Sequence, residues 1–258
     1  MKKRLDLLLV EKGLASSRTK AQDLIKSGSV FILTDQRRNL AASPSQLLED
    51  SAQFEILENE LQRFVSRGGL KLQGALKHLQ LSVKGLDVLD VGISTGGFTD
   101  CLLQNGVRKV VGVDVGHDQL DSKLKNHPQV TQFEGVNARA LHAEPALIAV
   151  MPKTGWPLIV IDVSFISLTL ILPSVAQLLK PMGLILALVK PQFEVGPEGL
   201  GRGGLVRDPS LYLSVEKKIR EKCLELNLTV RDYLDSSIEG KDGNREFFIF
   251  LQKTEKSA

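Results

Sequence analysis

The chain is poor in cysteine. Its 258 residues hold two, Cys101 and Cys223, with no C-x-x-C pair and no Cys/His cluster. That spacing excludes a disulfide framework and a zinc site. Four histidines, His78, His117, His127 and His142, stand at no metal-binding spacing and read as structural, so no metal is expected. Long apolar runs are missing too. The longest, such as residues 183–189, fall far short of the roughly 20 residues a membrane helix needs. The basic N-terminus leads into an amphipathic pattern, not the apolar core of a signal peptide. Both absences favour a soluble cytoplasmic protein. A strict G-x-G-x-x-G is absent, so a dinucleotide is not the first choice of ligand. No P-loop Gly-Lys-Ser/Thr occurs either, and no lysine follows the glycines to hold a triphosphate.

What is present centres on residues 87–100, Asp-Val-Leu-Asp-Val-Gly-Ile-Ser-Thr-Gly-Gly-Phe-Thr-Asp. Val88, Leu89 and Val91 read as a buried strand. Residues 92–97 form a turn dense in glycine and hydroxyls, and residues 98–105 a helix with Gly106 past its end. Strand, glycine turn and helix bring a ligand against the backbone of an α/β sheet. A second strand follows at 110–114, and Asp114 at its end is placed to take both hydroxyls of a ribose. A nucleoside-bearing ligand without pyrophosphate fits, and S-adenosylmethionine is one.

Hydrophobic residues make up 43% of the chain, enough for a real core. The length admits one large domain, or one medium domain plus a small one. Charge is uneven: residues 1–40 hold nine Lys/Arg against four Asp/Glu, a net of +5, while 41–60 hold five acids and no base. A basic start of this kind suits a polyanion partner. Residues 1–62 read as a small α+β domain, with an apolar first helix ending near Gly13 and a second over 18–27 capped by Ser17. Strands follow at 30–33 and 53–57, with a turn at 35–39. Residues 63–69 read as the linker and 70–258 as an α/β domain of alternating strands and helices, hence a mainly parallel sheet.

Strands over 156–162 and 183–190 end on Asp162 and Lys190. Lys71 lies early in a helix over 70–79, where a cation opposes the helix dipole. Glu246 is placed near them by the last strand, 245–251. Charges on apolar strands are costly unless paired, so Asp162 is expected to partner Lys190, and Glu246 to partner Lys71. The plain outcome is two structural salt bridges. The sharper one is a proton-transfer site, since two lysines held together repel and one gives up its proton more readily. Asn137 follows the third strand, at 130–134, and lies near where an adenine would sit. Residues 196–208 pack five glycines with Arg202 and Arg207 into what reads as a flexible basic loop over RNA.

The first part resembles an RNA-binding module of the ribosomal-protein S-four type through Arg4-Leu-Asp6, Ala15-Ser-Ser-Arg-Thr-Lys-Ala21 and Ile25-Lys-Ser-Gly-Ser-Val30. It departs at Leu33-Thr-Asp-Gln36, where the family shows a glycine turn. The resemblance implies phosphate contacts from Arg4, Arg18, Lys20 and Lys26. The rest is similar to the TlyA family of FtsJ-type ribose methyltransferases, often labelled haemolysins. The motifs are Arg63-Phe-Val-Ser-Arg-Gly-Gly-Leu-Lys71, Asp90-Val-Gly-Ile-Ser-Thr-Gly-Gly-Phe-Thr-Asp100, Asp162-Val-Ser-Phe-Ile-Ser167, Leu188-Val-Lys-Pro-Gln-Phe-Glu194 and Arg245-Glu-Phe-Phe248.

This resemblance implies a Rossmann-like class I methyltransferase domain with a seven-stranded sheet and S-adenosylmethionine as cofactor. It implies 2′-O-methylation of cytidine in ribosomal RNA, with Lys71, Asp162, Lys190 and Glu246 as a catalytic tetrad. Gly92, Ser94, Thr95, Gly96, Gly97, Phe98, Thr99, Asp114, Asn137 and Asp162 would hold the cofactor. Arg63 and Arg67, in the linker motif, join Arg202 and Arg207 as RNA-facing candidates. Family members acting on both ribosomal subunits carry extensions at both ends, so the short termini here lean towards the large subunit. The rival readings are a membrane-active haemolysin and a non-catalytic RNA-binding assembly factor.

Overall fold

Apolar side chains fall on one side of residues 5–11 and again of 18–26, and both segments are helical. A computed structural model describes residues 2–15, 17–34, 37–57, 63–240 and 243–254. It divides into two compact units, Met1–Arg67 and Gly68–Ala258.

In the first unit β1 (Lys2–Arg4) leads into α1 (Leu5–Glu11), then α2 (Arg18–Lys26), β2 (Val30–Thr34), β3 (Arg37–Leu40), β4 (Leu47–Glu49) and β5 (Gln53–Ile56). β2 pairs antiparallel with β3 and β5, and β1 with β4. Leu5, Leu9, Ala21, Leu24, Ile25, Val30 and Ile32 form the core beneath the helices. The Ser17 hydroxyl accepts from the Lys20 amide at 3.2 Å, capping α2 as its position predicts. The expected turn over 35–39 is corrected in part: Arg37 to Asn39 belong to β3, while Asp35 and Gln36 lie outside the described residues. β3 carries no buried side chain, so no alternation marks it in the sequence.

Asp6 is fully buried and organises this unit. Its carboxylate accepts from Arg4 Nε and Nη2, each at 3.0 Å, from Arg18 Nε at 3.0 Å and from Gln22 Nε2 at 2.9 Å. Arg4 above all, then Gln22 and Arg18, hold the Asp6 carboxyl well below the usual carboxylate range, against the opposing pull of burial.

In the second unit α3 (Gly68–His78) starts on the two glycines. It is followed by β6 (Asp87–Val91), α4 (Gly97–Gln104), β7 (Lys109–Val113), α5 (Ser122–Lys125), β8 (Val130–Phe133), α6 (Pro145–Val150) and β9 (Trp156–Ile161). Then come α7 (Leu168–Leu178), β10 (Leu179–Val189), α8 (Leu211–Glu225), β11 (Leu228–Asp235) and β12 (Phe247–Lys253). One seven-stranded sheet runs in the order β11-β12-β10-β9-β6-β7-β8. β10, β9, β6, β7 and β8 pair in parallel, and β12 enters antiparallel between β10 and β11. The near-continuous apolar runs of β6, β9 and β10 follow from burial on both faces. After β8 the chain crosses back to β9 on the other side of β6. The switch point, where α/β sheets take ligands, therefore lies between the carboxyl ends of β6 and β9.

α8 is an element the sequence reading does not include. Its buried Val215, Ile219 and Cys223 recur every four residues, but charged neighbours narrow that stripe. Pro173 does not interrupt α7, which runs through it. Among the described residues no helix is long and apolar enough to cross a membrane.

Asp6→Ala removes four charge-assisted bonds from one buried point. Urea unfolding should show a loss of about 2 kcal/mol or more. In the parent, the share of stability owed to Asp6 is present above about pH 4 and drains away as pH falls further towards its depressed folded value; the alanine variant should lack that acid-side decline.

Candidate active site

The turn after β6 closes on β9. Gly92 has φ +89°, and a Cβ there would overlap the Asp162 carbonyl oxygen, so only glycine lets the two strand ends approach this closely. A pocket of about 510 Å3 opens between them, lined by Gly92, Ser94, Asp114, Asn137 and Asp162 with apolar Val113, Val136 and Ile166. The Ser94 amide donates to Asp114 Oδ2 and the Gly116 amide to Oδ1, both at 2.8 Å, which fixes the carboxylate at the pocket wall. Asn137 Oδ1 accepts from the Arg139 amide at 3.0 Å and so is partly used by its own turn.

The remaining turn residues differ from the sequence expectation. Thr95, Gly96 and Gly97 lead into α4 and are not pocket-lining. Phe98 faces inward and stacks on Phe248 at 6.1 Å between ring centroids. Thr99 is buried, and its hydroxyl donates to Asp90 Oδ2 at 2.7 Å. The Phe98 and Thr99 side chains are thus packed in the core. Asp90 itself is an acid the sequence reading passes over. It is fully buried, its Oδ1 has no hydrogen-bond donor, and burial pushes its carboxyl up to about 7, with the charges of Asp162 and Asp114 adding to the effect.

The four polar candidates form two ion pairs. Lys190 Nζ lies 2.6 Å from Asp162 Oδ1 and donates to Ser164 Oγ at 2.9 Å. Its approach to Oδ1 is a charge contact off the angle of a hydrogen bond. Lys71 Nζ donates to Glu246 Oε2 at 2.5 Å, with both residues buried. Lys71 is thus not the exposed helix lysine that its position alone would suggest.

Strand register relates the pairs. Val189 of β10 faces Phe247 of β12, and Lys190 continues extended at φ −111° and ψ 97°. Lys190 and Glu246 are thus the residues that immediately follow β10 and precede β12 at the same end of the sheet. Asp162 follows β9 on the other side of β10.

Other residues meet here without having been singled out by the sequence reading. Phe165 is 90% exposed at the pocket mouth, with φ +65°, and its ring lies 5.1 Å from that of Phe193. A positive φ is uncommon for an aromatic residue; in the sequence Phe165 is one more apolar letter. Glu194 is buried, and Gln119 accepts from Ser94 Oγ at 2.9 Å.

Among the basic candidates, Arg4 and Arg18 are drawn onto Asp6 and Lys20 donates to the Phe64 carbonyl at 3.1 Å. Lys26 is exposed, Arg63 stands over the Phe64 ring at 5.2 Å, and Arg67 is half-buried. The glycine-rich segment is a hydrogen-bonded hairpin and not the loose loop expected. Leu200 bridges Val206, the Arg207 amide donates to the Gly199 carbonyl, and the Asn244 side chain holds both the Gly204 carbonyl and the Val206 amide at 3.1 Å. Arg202 and Arg207 are exposed on it.

With this geometry in view, the FtsJ-like methyltransferase family matches residues 64–253 and the S4 domain residues 3–32. The chain belongs to the TlyA family of FtsJ-like methyltransferases. YqxC of Bacillus subtilis, named as an rRNA methyltransferase, is 43% identical over 251 residues, 97% of this chain and 85% of that one. The 16S/23S rRNA (cytidine-2′-O)-methyltransferase TlyA of Mycobacterium tuberculosis is 38% identical over 249 residues, 96% of this chain and 89% of that one. A solved hemolysin-named protein of Streptococcus thermophilus is 39% identical with a TM-score of 0.74, covering 98% of this chain and 89% of that one.

Asp90 yields a pH prediction. Folded, it keeps its proton up to about pH 7, whereas an unfolded aspartate loses its proton near about pH 4. The folded state binds the extra proton across that window, so the contribution of Asp90 to stability falls as pH rises from about 4 to about 7. Asp90→Asn should flatten this decline in denaturant unfolding at pH 5 and pH 8; parallel profiles for parent and variant would refute the assignment.

Proposed function

We propose that this chain is an S-adenosylmethionine-dependent 2′-O-methyltransferase acting on a cytidine ribose of ribosomal RNA. The observation that carries the reading is the Lys190–Asp162 ion pair just past the carboxyl ends of β10 and β9, with the Asp162 carboxylate lining the switch-point pocket and a second buried pair, Lys71–Glu246, just before β12. The pocket residues fit the cofactor: Asp114 is set by two amides to receive ribose hydroxyls, and the Asp162 carboxylate adds negative charge to the pocket lining. When bound, S-adenosylmethionine supplies a methyl group on a positive sulfur.

Lys190 takes the proton of the ribose 2′-hydroxyl in its neutral form, leaving the oxygen free to attack. Asp162 and Ser164 hold the Lys190 amine in position. Lys71 and Glu246 form the second pair and set the charge around it. Most of the acceleration comes from positioning and from fixed charges in a site shielded from water. Phe165 presents a face on which the base of the target nucleotide can stack, a contact that tolerates any base. The S4 domain and the Arg202–Arg207 hairpin supply phosphate contacts that orient the RNA.

The deciding experiment incubates the protein and labelled cofactor with unmodified large and small ribosomal subunits separately, then maps the methylated ribose. Methylation of a cytidine 2′-oxygen is expected. Lys190→Ala should lower transfer at least about 100-fold while RNA binding persists; full activity in that variant would remove lysine from the mechanism. Arg202→Gln with Arg207→Gln should weaken RNA binding and make its salt slope shallower by about 1.4, the value for two lost contacts to a single strand. An unchanged slope would show that the hairpin does not touch phosphate.

A further inference from the structure

Lys190 and Asp162 stand on two separate loops, one after β10 and one after β9, and their 2.6 Å approach requires that those loops be held together. Their own ion pair cannot do this unaided, because it is also where substrate must enter. A second tie lies on the side away from the pocket. Glu194, four residues after Lys190, is buried within the second unit. Its Oε1 accepts from the Leu168 amide at 2.6 Å, and its Oε2 accepts from Ser167 Oγ at 2.6 Å and from Lys218 Nζ at 2.9 Å. Lys218 also donates to the Glu194 main-chain carbonyl at 3.1 Å.

We propose that Glu194 is a positioning residue that fastens the Lys190 turn to the Asp162–Ser167 loop and so sets the distance between the two reacting-site groups. This rests on the reading of Lys190 and Asp162 as the proton-transfer pair.

The physical case has three parts. First, Ser167 and Leu168 open α7, so Glu194 meets an otherwise orphan amide and the positive end of an 11-residue helix. A carboxylate is the group best held there, and Lys218 of α8 balances it. Second, the partners lie immediately past the functional loop. Asp162, Ser164 and Phe165 occupy the few residues before Ser167, so the bond to Ser167 ends a segment only five residues long. Short loops transmit an anchor shift directly, with little slack. Third, the neighbouring Phe193–Phe165 ring contact closes the same seam from the solvent side. Glu194 touches neither the pocket nor the ion pairs, so its influence on the reaction runs through geometry alone.

The test uses the full chain, with single-turnover methyl transfer at saturating cofactor and RNA. Glu194→Ala should lower the rate about 100-fold, the penalty of an ångström-scale misplacement, with RNA Kd unchanged and a cooperative unfolding transition retained. Ser167→Ala should show a smaller loss in the same direction. Glu194→Gln combined with Lys218→Met keeps an acceptor for the Leu168 amide and a donor to Ser167 while removing both charges, so it should recover most of the rate. Glu194→Ala with Lys218→Met should not.

The proposal is overturned if Glu194→Ala reacts at the parent rate, or if the Gln/Met pair, folded, fails to recover. It is equally overturned if the loss disappears at a lower temperature where each variant is fully folded, since that would make the effect one of stability. Should Glu194→Ala not fold, Ser167→Ala and the Gln/Met pair decide alone. Lys190→Ala is run beside them. If it is inactive while Glu194→Ala is not, the fastening role fails and the mechanism stands; if Lys190→Ala is active, the mechanism itself fails.

Discussion

A buried ammonium has to find an anion, and that requirement governs the second unit of this chain. Taking each ion out of water costs several kcal/mol, and leaving one unpaired costs more. Lys71 faces the interior of α3 beside Leu72 and Ala75, and Lys190 closes a strand whose last five residues are buried. Each has one carboxylate within 2.6 Å. The strand order then has little freedom. A one-residue slip of β12 against β10 would turn Glu246 to the opposite face and strand Lys71 without its partner. The arrangement that makes the sheet possible is the same one that assembles the polar cluster.

The glycine turn is bound into that arrangement from behind. Asp90 and Thr99 join β6 to the first turn of α4, and Phe98 carries α4 onto Phe248 of β12. Residues that the motif alone would assign to ligand contact instead link the pocket wall to the strand that bears the lysine partner. The pocket keeps Gly92, Ser94 and Asp114 for its ligand. Motif membership and pocket lining are thus separable within one short stretch, and burial tells them apart.

Much of the architecture was legible in the sequence because its strands are long apolar runs and its turns carry glycine. Residues 87–91, 156–161 and 183–189 announce themselves this way, as do the acid and lysine that end the last two. The pairing of Lys71 with Glu246 was readable only as the demand of a charge for a countercharge, since 175 residues separate them. Phe165 was not readable: an exposed left-handed aromatic differs from a core phenylalanine only in three dimensions. β1 and β4 are three residues each, too short for alternation to register. The glycine-rich hairpin misled by composition, because flexibility was inferred from five glycines while Asn244, forty residues on, supplies the bonds that order it.

The insertion of β12 between β10 and β11 has a consequence for how the molecule is made. The strand that follows Glu246 is a central one, flanked on both sides, yet it comes after both of its neighbours in the chain. During translation β10 and β11 must wait with a strand-wide gap between them, and Lys71 waits without its anion. A nascent chain halted before residue 246 can hold most of the sheet and the whole glycine turn and still have no competent centre. Such sequence-distant closure is slow to form, so the buried pair completes only after the strands on both sides of β12 exist.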